Sequence, residues 1–306
     1  MMLQQTQVAT MLPYYARFIA RFPDVTTLAE ASFDEVLTHW QGLGYYRRAK
    51  HVHEAAKRVH ELHHDQFPPS IDALRALPGV GEYTAGAIAS IAFDQAEPAV
   101  DGNVLRVVSR LYGITESIAE AKTKAAVTSR VKTWYGDAPP HELTQAIMEL
   151  GALICVRKPS CEACPLNRHC FAYAHGKTDM IPVKPSRMKQ PLEHYVTFVV
   201  THNESIYLEQ NPDDGLLANL YACPQVEGKN PHDAFETLKA RIPFSVTLGE
   251  TLGDVTHVFS HKRWKLIVVH VLAGESSDMF YPLEDLPALG KAHRTAIELW
   301  EKKLMQ

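Results

Sequence analysis

Leu77-Pro78-Gly79-Val80-Gly81-Glu82-Tyr83-Thr84-Ala85-Gly86 is the stretch on which the reading of this chain turns. One apolar helical pattern (Ile71, Leu74, Leu77) closes at its start. Another opens at Tyr83, with small residues on the inner face (Ala85, Ala89, Ala92). Only Pro78-Gly79-Val80-Gly81 separates the two. Proline fixes φ, whereas the glycines permit positive φ and remove the Cβ atoms that would hold a ligand off the backbone. The second helix begins with N–H groups that face outward, which suits an anion. Two helices joined in this way form a helix–hairpin–helix, whose usual anion is a DNA phosphate, so Gly79 and Gly81 are candidate phosphate contacts. The same four residues read equally well as an ordinary tight turn between helices.

Farther on, Pro98-Ala99-Val100-Asp101-Gly102-Asn103-Val104-Leu105-Arg106 places a carboxylate immediately before a helix. Asp101 can simply cap that helix. It can also be held ionised by the helix N-terminus at the mouth of a cleft beside the hairpin. In combination, Leu-Pro-Gly-Val-Gly and Val-Asp-Gly-Asn-Val-x-Arg resemble the helix–hairpin–helix DNA glycosylases, and within them the adenine DNA glycosylases of the MutY type.

At 306 residues, two domains are expected, and a hydrophobic fraction of 46% supports real cores. No stretch approaches a membrane span, and there is no export signal, so a cytoplasmic protein is expected. The net charge of −4 argues against a generally basic, sticky protein. Nucleic-acid contact must therefore come from local patches and backbone amides.

Residues 1–180 read as nearly all helix. Gln4 to Phe22 is periodic, with Val8, Met11, Leu12, Tyr15, Phe18 and Ile19 inward, and Ser32 with Glu35 is a capping box. Helices follow at 70–76, 82–93, 103–112, 121–135 and 140–154. Pro182, Pro185 and Pro191, with Lys184, Arg187 and Lys189, mark a stiff basic linker over 181–192. Beyond it, strands at 195–201, 206–209, 245–251, 255–259 and 266–272 with helices at 231–241 and 291–304 predict an α+β domain over 193–306. The fold expected is thus multi-domain, an all-α helix–hairpin–helix domain followed by an α+β one.

Four of the five cysteines fall between 155 and 170, as Cys155-x5-Cys161-x2-Cys164-x5-Cys170. Clustered thiols in a chain without a secretion signal point to a metal centre. By spacing alone, a 4Fe–4S cluster and tetrahedral zinc are equally served. The family loop is Cys-x6-Cys-x2-Cys-x5-Cys, so the resemblance implies the cluster, with one residue fewer between the first two ligands. Arg157, Lys158 and Arg168 would make the loop a phosphate contact.

The resemblance implies further roles. Met2-Leu3-Gln4-Gln5-Thr6 matches the segment that enters the minor groove, making Gln5 the wedge with Thr6 beside it; read alone it is a polar helix start. In Gln41-Gly-Leu-Gly-Tyr-Tyr46-Arg-Arg, Leu43 and Tyr45 would contact the damaged base with a basic pair behind them, or the stretch is a helix-linking turn with buried tyrosines. Tyr83 stands where bifunctional relatives carry lysine, and a phenol cannot form a Schiff base. A monofunctional glycosylase is therefore implied, with Asp101 stabilising the sugar cation and Asn103 and Tyr83 ordering water and sugar. Simple packing is the other reading of Tyr83. Gly215-Leu-Leu-Ala-Asn-Leu and Val258-Phe-Ser-His-Lys-Arg-Trp look like the family's Nudix-like domain without the glutamates of a hydrolytic Nudix box. Phe259, Ser260 and His261 then match the loop that recognises 8-oxoguanine; otherwise His261 is an exposed strand-end histidine.

The implied partner is double-stranded DNA with A:8-oxoguanine or A:G mispairs, bound by a monomer. One departure matters: the family's general-acid Glu falls just before Met1. A non-catalytic lesion-binding protein is the alternative this raises. A bifunctional pyrimidine glycosylase-lyase is opposed by Tyr83 and by the extra domain.

Overall fold

In this computed structural model all residues are described except Asp137, 186–188, Met305 and Gln306, so Arg187 of the expected linker lies outside the described residues. The chain divides into two compact units, Glu54–Arg187 (with Met1) and Met2–His53 joined to Met188–Gln306. The boundaries expected from sequence place 1–53 with the helical half instead. The grouping has a local cause, because the Tyr46 hydroxyl donates to the Leu289 carbonyl (3.4 Å) and Lys50 Nζ to that of Asp213 (3.4 Å).

The N-terminal helices are α1 (Val8–Arg21), α2 (Val25–Glu30), α3 (Phe33–Trp40) and α4 (Arg47–His63). Ser32 caps α3 by accepting the Glu35 N–H (3.2 Å), as the capping box predicts. The expected inward face of α1 needs correction. Met11 and Phe18 are buried, Phe18 edge-on to Trp40, but Val8, Leu12, Tyr15 and Ile19 are 57, 53, 48 and 41% exposed. Periodicity identifies an apolar face without saying whether anything covers it. Residues 2–6 are turns rather than the first helical residues.

Helices α5 (Ile71–Arg75), α6 (Glu82–Phe93), α7 (Gly102–Tyr112), α8 (Ala121–Lys132) and α9 (Pro140–Glu149) follow, then a π-helical turn Leu150–Ile154 and α10 (Phe171–Ala174). The run expected as one helix over 140–154 therefore ends in a π turn. Val104, Leu105 and Val108 of α7 pack with Val127 and Val131 of α8 and Ile147 of α9. Each such buried side chain contributes about 1.5–3 kcal/mol.

The C-terminal lobe contains β1 (Leu192–His202), β2 (Ser205–Tyr207), β3 (Glu209–Gln210), β4 (Tyr221–Ala222), β5 (Gln225–Glu227), α11 (Pro231–Arg241), β6 (Val246–Val258), β7 (Arg263–Ala273), β8 (Phe280–Pro282) and α12 (Lys291–Leu304). The main sheet runs β6-β7-β1-β2-β8, with β1 parallel to β7 and β5 paired on β1. Two strands expected at 245–251 and 255–259 are one strand with register shifts near Thr251 and Gly253. Helix α11 covers one face through Ala234, Phe235 and Leu238. Helix α12 covers the other through Ala296, Ile297 and Trp300.

His293 lies wholly within that second layer, and burial, reinforced by His257, pulls its pKa down to about 4. Between pH 6.5 and 4 the unfolded chain therefore takes up a proton that the folded lobe refuses. Stability should fall as pH falls through this window, by up to roughly 3 kcal/mol. Denaturant midpoints of the full chain measured across pH 4–7 check this, and His293→Gln should flatten the slope.

Candidate active site and cysteine loop

The hairpin forms as its residues dictate. Ser70 caps α5 by accepting the Ala73 N–H, Leu74 and Leu77 are buried, and Gly79 takes φ +71, which a side chain would strain. Gly81 precedes α6, and no side chain caps that helix. A Cβ on Gly81 would meet nothing within 4 Å, so internal packing does not demand this glycine. With no side chain capping it, the start of α6 is the kind of helix end that receives an anion.

The buried face of α6 is Ala85, Gly86, Ala89 and Ser90, whereas Ala92, expected inward, is exposed. Gly86 is the residue that sequence reading passed over. A Cβ there would sit 2.3 Å from the Pro98 carbonyl oxygen, so the segment leading to Asp101 crosses α6 at this point. Gly86→Ala should cost about 1–3 kcal/mol through overpacking, read as a lowered denaturant midpoint.

Asp101 is the N-cap of α7. Its Oδ1 accepts the backbone N–H groups of Asn103 and Val104 (2.8 Å each), and its Oδ2 accepts Asn103 Nδ2 (2.9 Å). The capping role is therefore real, and three donors fix the carboxylate in one orientation. Asn103 Oδ1 in turn accepts Arg106 Nη2 (2.9 Å). Arg106 also donates to the carbonyls of Gly151 (2.7 Å) and Cys155 (2.6 Å). Gly151 belongs to the π turn, and a Cβ on it would lie 2.8 Å from Asn103 Cβ. The π turn thus lets the backbone press against Asn103, consistent with the frequent placement of such turns at functional sites. Tyr83 is half-buried with its hydroxyl 3.9 Å from Met148 Sδ. Burial, and then the Asp101 charge, push this phenol above its ordinary pKa.

All four clustered cysteines are unpaired and partly exposed. With Arg110, Pro159 and Asn167 they line one small cavity of about 20 Å³. Burial, then the neighbouring thiols of Cys170 and Cys155, raise the Cys161 pKa. Such mutual repulsion is relieved when a cation draws the thiolates together. Among the described residues, no three His, Cys, Asp or Glu side chains are already set to grip a metal ion.

Arg110 shapes this loop. It is 4% exposed and donates to the carbonyls of Ile181 (2.8 Å), Val156 (2.7 Å) and Thr178 (2.7 Å), with Nη1 3.4 Å from Cys155 Sγ. Arg157, Lys158 and Arg168 are exposed on the loop surface.

The remaining sequence-predicted residues belong to the other unit. Gln5 is exposed at φ 57, and Thr6 donates to the Gln4 carbonyl (3.4 Å). Tyr45 is 47% exposed at φ 50. Leu43, expected at a DNA-facing tip, is 6% exposed and packs inward, so the aromatic neighbour carries that surface. The basic pair divides as well, with Arg47 exposed and Arg48 buried.

Phe259, Ser260 and His261 form the turn between β6 and β7, closed by the Phe259 N–H donating to the Lys262 carbonyl (2.9 Å). Phe259 packs edge-on to Trp264 (4.7 Å), leaving Ser260 and His261 exposed. Gln190 Nε2 donates to the carbonyls of Phe259 (2.9 Å) and Ser260 (3.0 Å). Glu193 accepts from Lys262, Trp264 and Tyr195, and the Lys262 ammonium foremost holds its carboxyl below the usual range. The turn is thereby braced from beneath.

Residues 1–133 match the HhH-GPD superfamily of base excision DNA repair proteins, and residues 195–299 match the NUDIX domain. The chain is 31% identical over 261 residues to the adenine DNA glycosylase of Buchnera aphidicola subsp. Acyrthosiphon pisum, covering 85% of this chain and 74% of that one. It is 37% identical over 236 residues to that of Buchnera aphidicola subsp. Schizaphis graminum, covering 74% and 66%. To the adenine DNA glycosylase of Rattus norvegicus it is 35% identical over 311 residues, covering 85% of this chain and 60% of the relative's length.

Proposed function

The chain belongs to the adenine DNA glycosylases, and on that premise we propose that it excises adenine mispaired with 8-oxoguanine or guanine in double-stranded DNA. The observation that carries the reading is the Asp101 carboxylate, oriented by three donors at the start of α7 in the same unit as the open hairpin. Extruding adenine costs a few kcal/mol, least at a mispair. Rupture of the N-glycosidic bond builds positive charge on the sugar, as in glycoside hydrolysis. Asp101 stabilises that charge, Asn103 shares its orientation, and Tyr83 bounds the site as a neutral phenol. Tyr83 cannot form an imine with the sugar, so the enzyme is monofunctional. None of the relatives above supports a purely binding role.

In this reading residues 1–180 are the excision region, 181–192 the linker and 193–306 the reading lobe. Gly79 and Gly81 hold a phosphate, Gln5 and Thr6 enter the minor groove, and Tyr45 lies against the opened base pair. Cys155, Cys161, Cys164 and Cys170 would hold a 4Fe–4S cluster, which supplies a rigid loop rather than chemistry. That loop presents Arg157, Lys158 and Arg168 to phosphate. The protein acts as a monomer in the cytoplasm. Among the described residues no helix is long and apolar enough to cross a membrane.

Single-turnover assays test the reading. Adenine should leave A:8-oxoguanine and A:G duplexes, and not A:T, without strand scission and without a borohydride-trapped adduct. A trapped adduct, or release of a pyrimidine, would overturn it. His261→Ala should lower the preference for A:8-oxoguanine over A:G about fivefold, the worth of about one hydrogen bond. Competition between the two duplexes measures that ratio.

A further inference from the structure

Arg48, at the start of α4, is 7% exposed, and its contacts run to two separate segments. Its Nη1 donates to the carbonyls of Met2 and Gln4 (2.6 Å each), and its Nη2 to that of Gly44 (3.1 Å). The guanidinium also lies over the rings of Trp40 (5.4 Å) and Tyr45 (5.2 Å to the centroid). Both segments have left-handed backbone: Gln5 at φ 57, Gly42 at φ 93, Gly44 at φ 75 and Tyr45 at φ 50. Non-glycine residues keep such angles only when their surroundings over-determine them. Here the bonds to Met2 and Gln4 hold the turn that leads directly into Gln5, while the bond to Gly44 and the ring contact fix Tyr45.

Resting on the reading of Gln5 and Tyr45 as DNA contacts, we propose that Arg48 is a positioning residue that welds segment 2–6 and tip 42–45 into one preorganised unit. Base extrusion then depends on its guanidinium, although Arg48 itself is buried away from DNA. A planar fork with five donors can serve several carbonyls while lying flat between two rings. A lysine ammonium keeps the charge but offers one compact donor centre, which cannot span the same carbonyls. Misplacing a substrate-positioning group by about an ångström costs on the order of 100-fold in rate. Charge at Arg48 should not enter the salt dependence of binding, because it is not spent on phosphate.

The test uses the full chain with 2-aminopurine opposite 8-oxoguanine as the extrusion probe. Arg48→Lys and Arg48→Gln should lose most of the fluorescence rise and excise adenine about 100-fold more slowly. Affinity for undamaged duplex and its salt slope should change by less than about threefold. In the free protein, amide exchange in 2–6 and 42–46 should quicken together in both variants. Normal extrusion by both variants while Gln5→Ala fails to extrude would overturn the proposal and leave the wedge reading standing. Normal extrusion by Gln5→Ala and Tyr45→Ala would instead sink that reading, and the proposal with it. Unfolding of both Arg48 variants would also overturn it, since a residue needed to build the lobe is not one that positions.

Discussion

Asp101→Asn should slow adenine release by at least about 10²–10³-fold, the scale of losing one preorganised electrostatic partner of a transition state. The substitution is nearly isosteric, and Asn caps helices as well as Asp does, so α7 should keep its start. The cost is confined to one contact. If the new Oδ1 keeps the N–H groups of Asn103 and Val104, the new Nδ2 faces Asn103 Nδ2, and two donors meet. Asn103 cannot turn its amide to accommodate this, because its Oδ1 already accepts Arg106. Stability should therefore drop by about 1 kcal/mol, far too little to explain the kinetic loss. Affinity for an A:8-oxoguanine duplex should stay within a few-fold, since the hairpin, Gln5, Tyr45 and the β6–β7 turn are untouched. Single-turnover excision beside fluorescence anisotropy separates these effects. Excision near the wild-type rate would remove Asp101 from the chemistry.

Cys161→Ser and Cys164→Ser carry the second large effect. The purified protein should be brown and contain iron, and either substitution should bleach it and lower its solubility. Binding of a metal group is folding free energy for the loop that wraps it. Losing that group releases residues 155–170 and the three exposed cations they present, Arg157, Lys158 and Arg168. Each phosphate contact adds about 0.9 to the slope of log affinity against log salt, so the slope should shallow by about 3. Arg110 would still tie Val156 and Thr178 to α7, which keeps the damage local. Titration of duplex at several salt concentrations reads the slope. A colourless protein containing one zinc, with binding unchanged in both variants, would show that the loop is built around another metal and does not touch DNA.

Much of this site was legible in the chain. The turn Pro78–Gly81, the limits of α6, α11 and α12, the Ser32 cap and the position of Asp101 before α7 all follow from residues within a few positions of one another. Glycine φ freedom, capping and helical period are local physics, so local sequence reports them. The family resemblance then assigned roles that no spacing could. What the sequence left open is of another kind. It marked an apolar face on α1 but could not say that Val8, Leu12, Tyr15 and Ile19 stay exposed. It offered Leu43 to DNA, whereas packing takes it inward. It treated Arg47 and Arg48 as a pair, although one faces solvent and the other is buried.

The bracing roles of Arg48, Arg106 and Arg110 went unread for a single reason. Each spends its donors mainly on backbone carbonyls, of Met2, Gly44, Gly151, Cys155, Val156 and Thr178 among others. Every residue has a carbonyl, so such a partner leaves no trace in composition or motif. Only the path of the chain decides which carbonyls meet at one guanidinium. The sequence by itself determined most of the elements and placed the residues offered for chemistry. Tertiary structure alone decided which arginines hold them in place, because those bonds join distant segments through groups that all residues share.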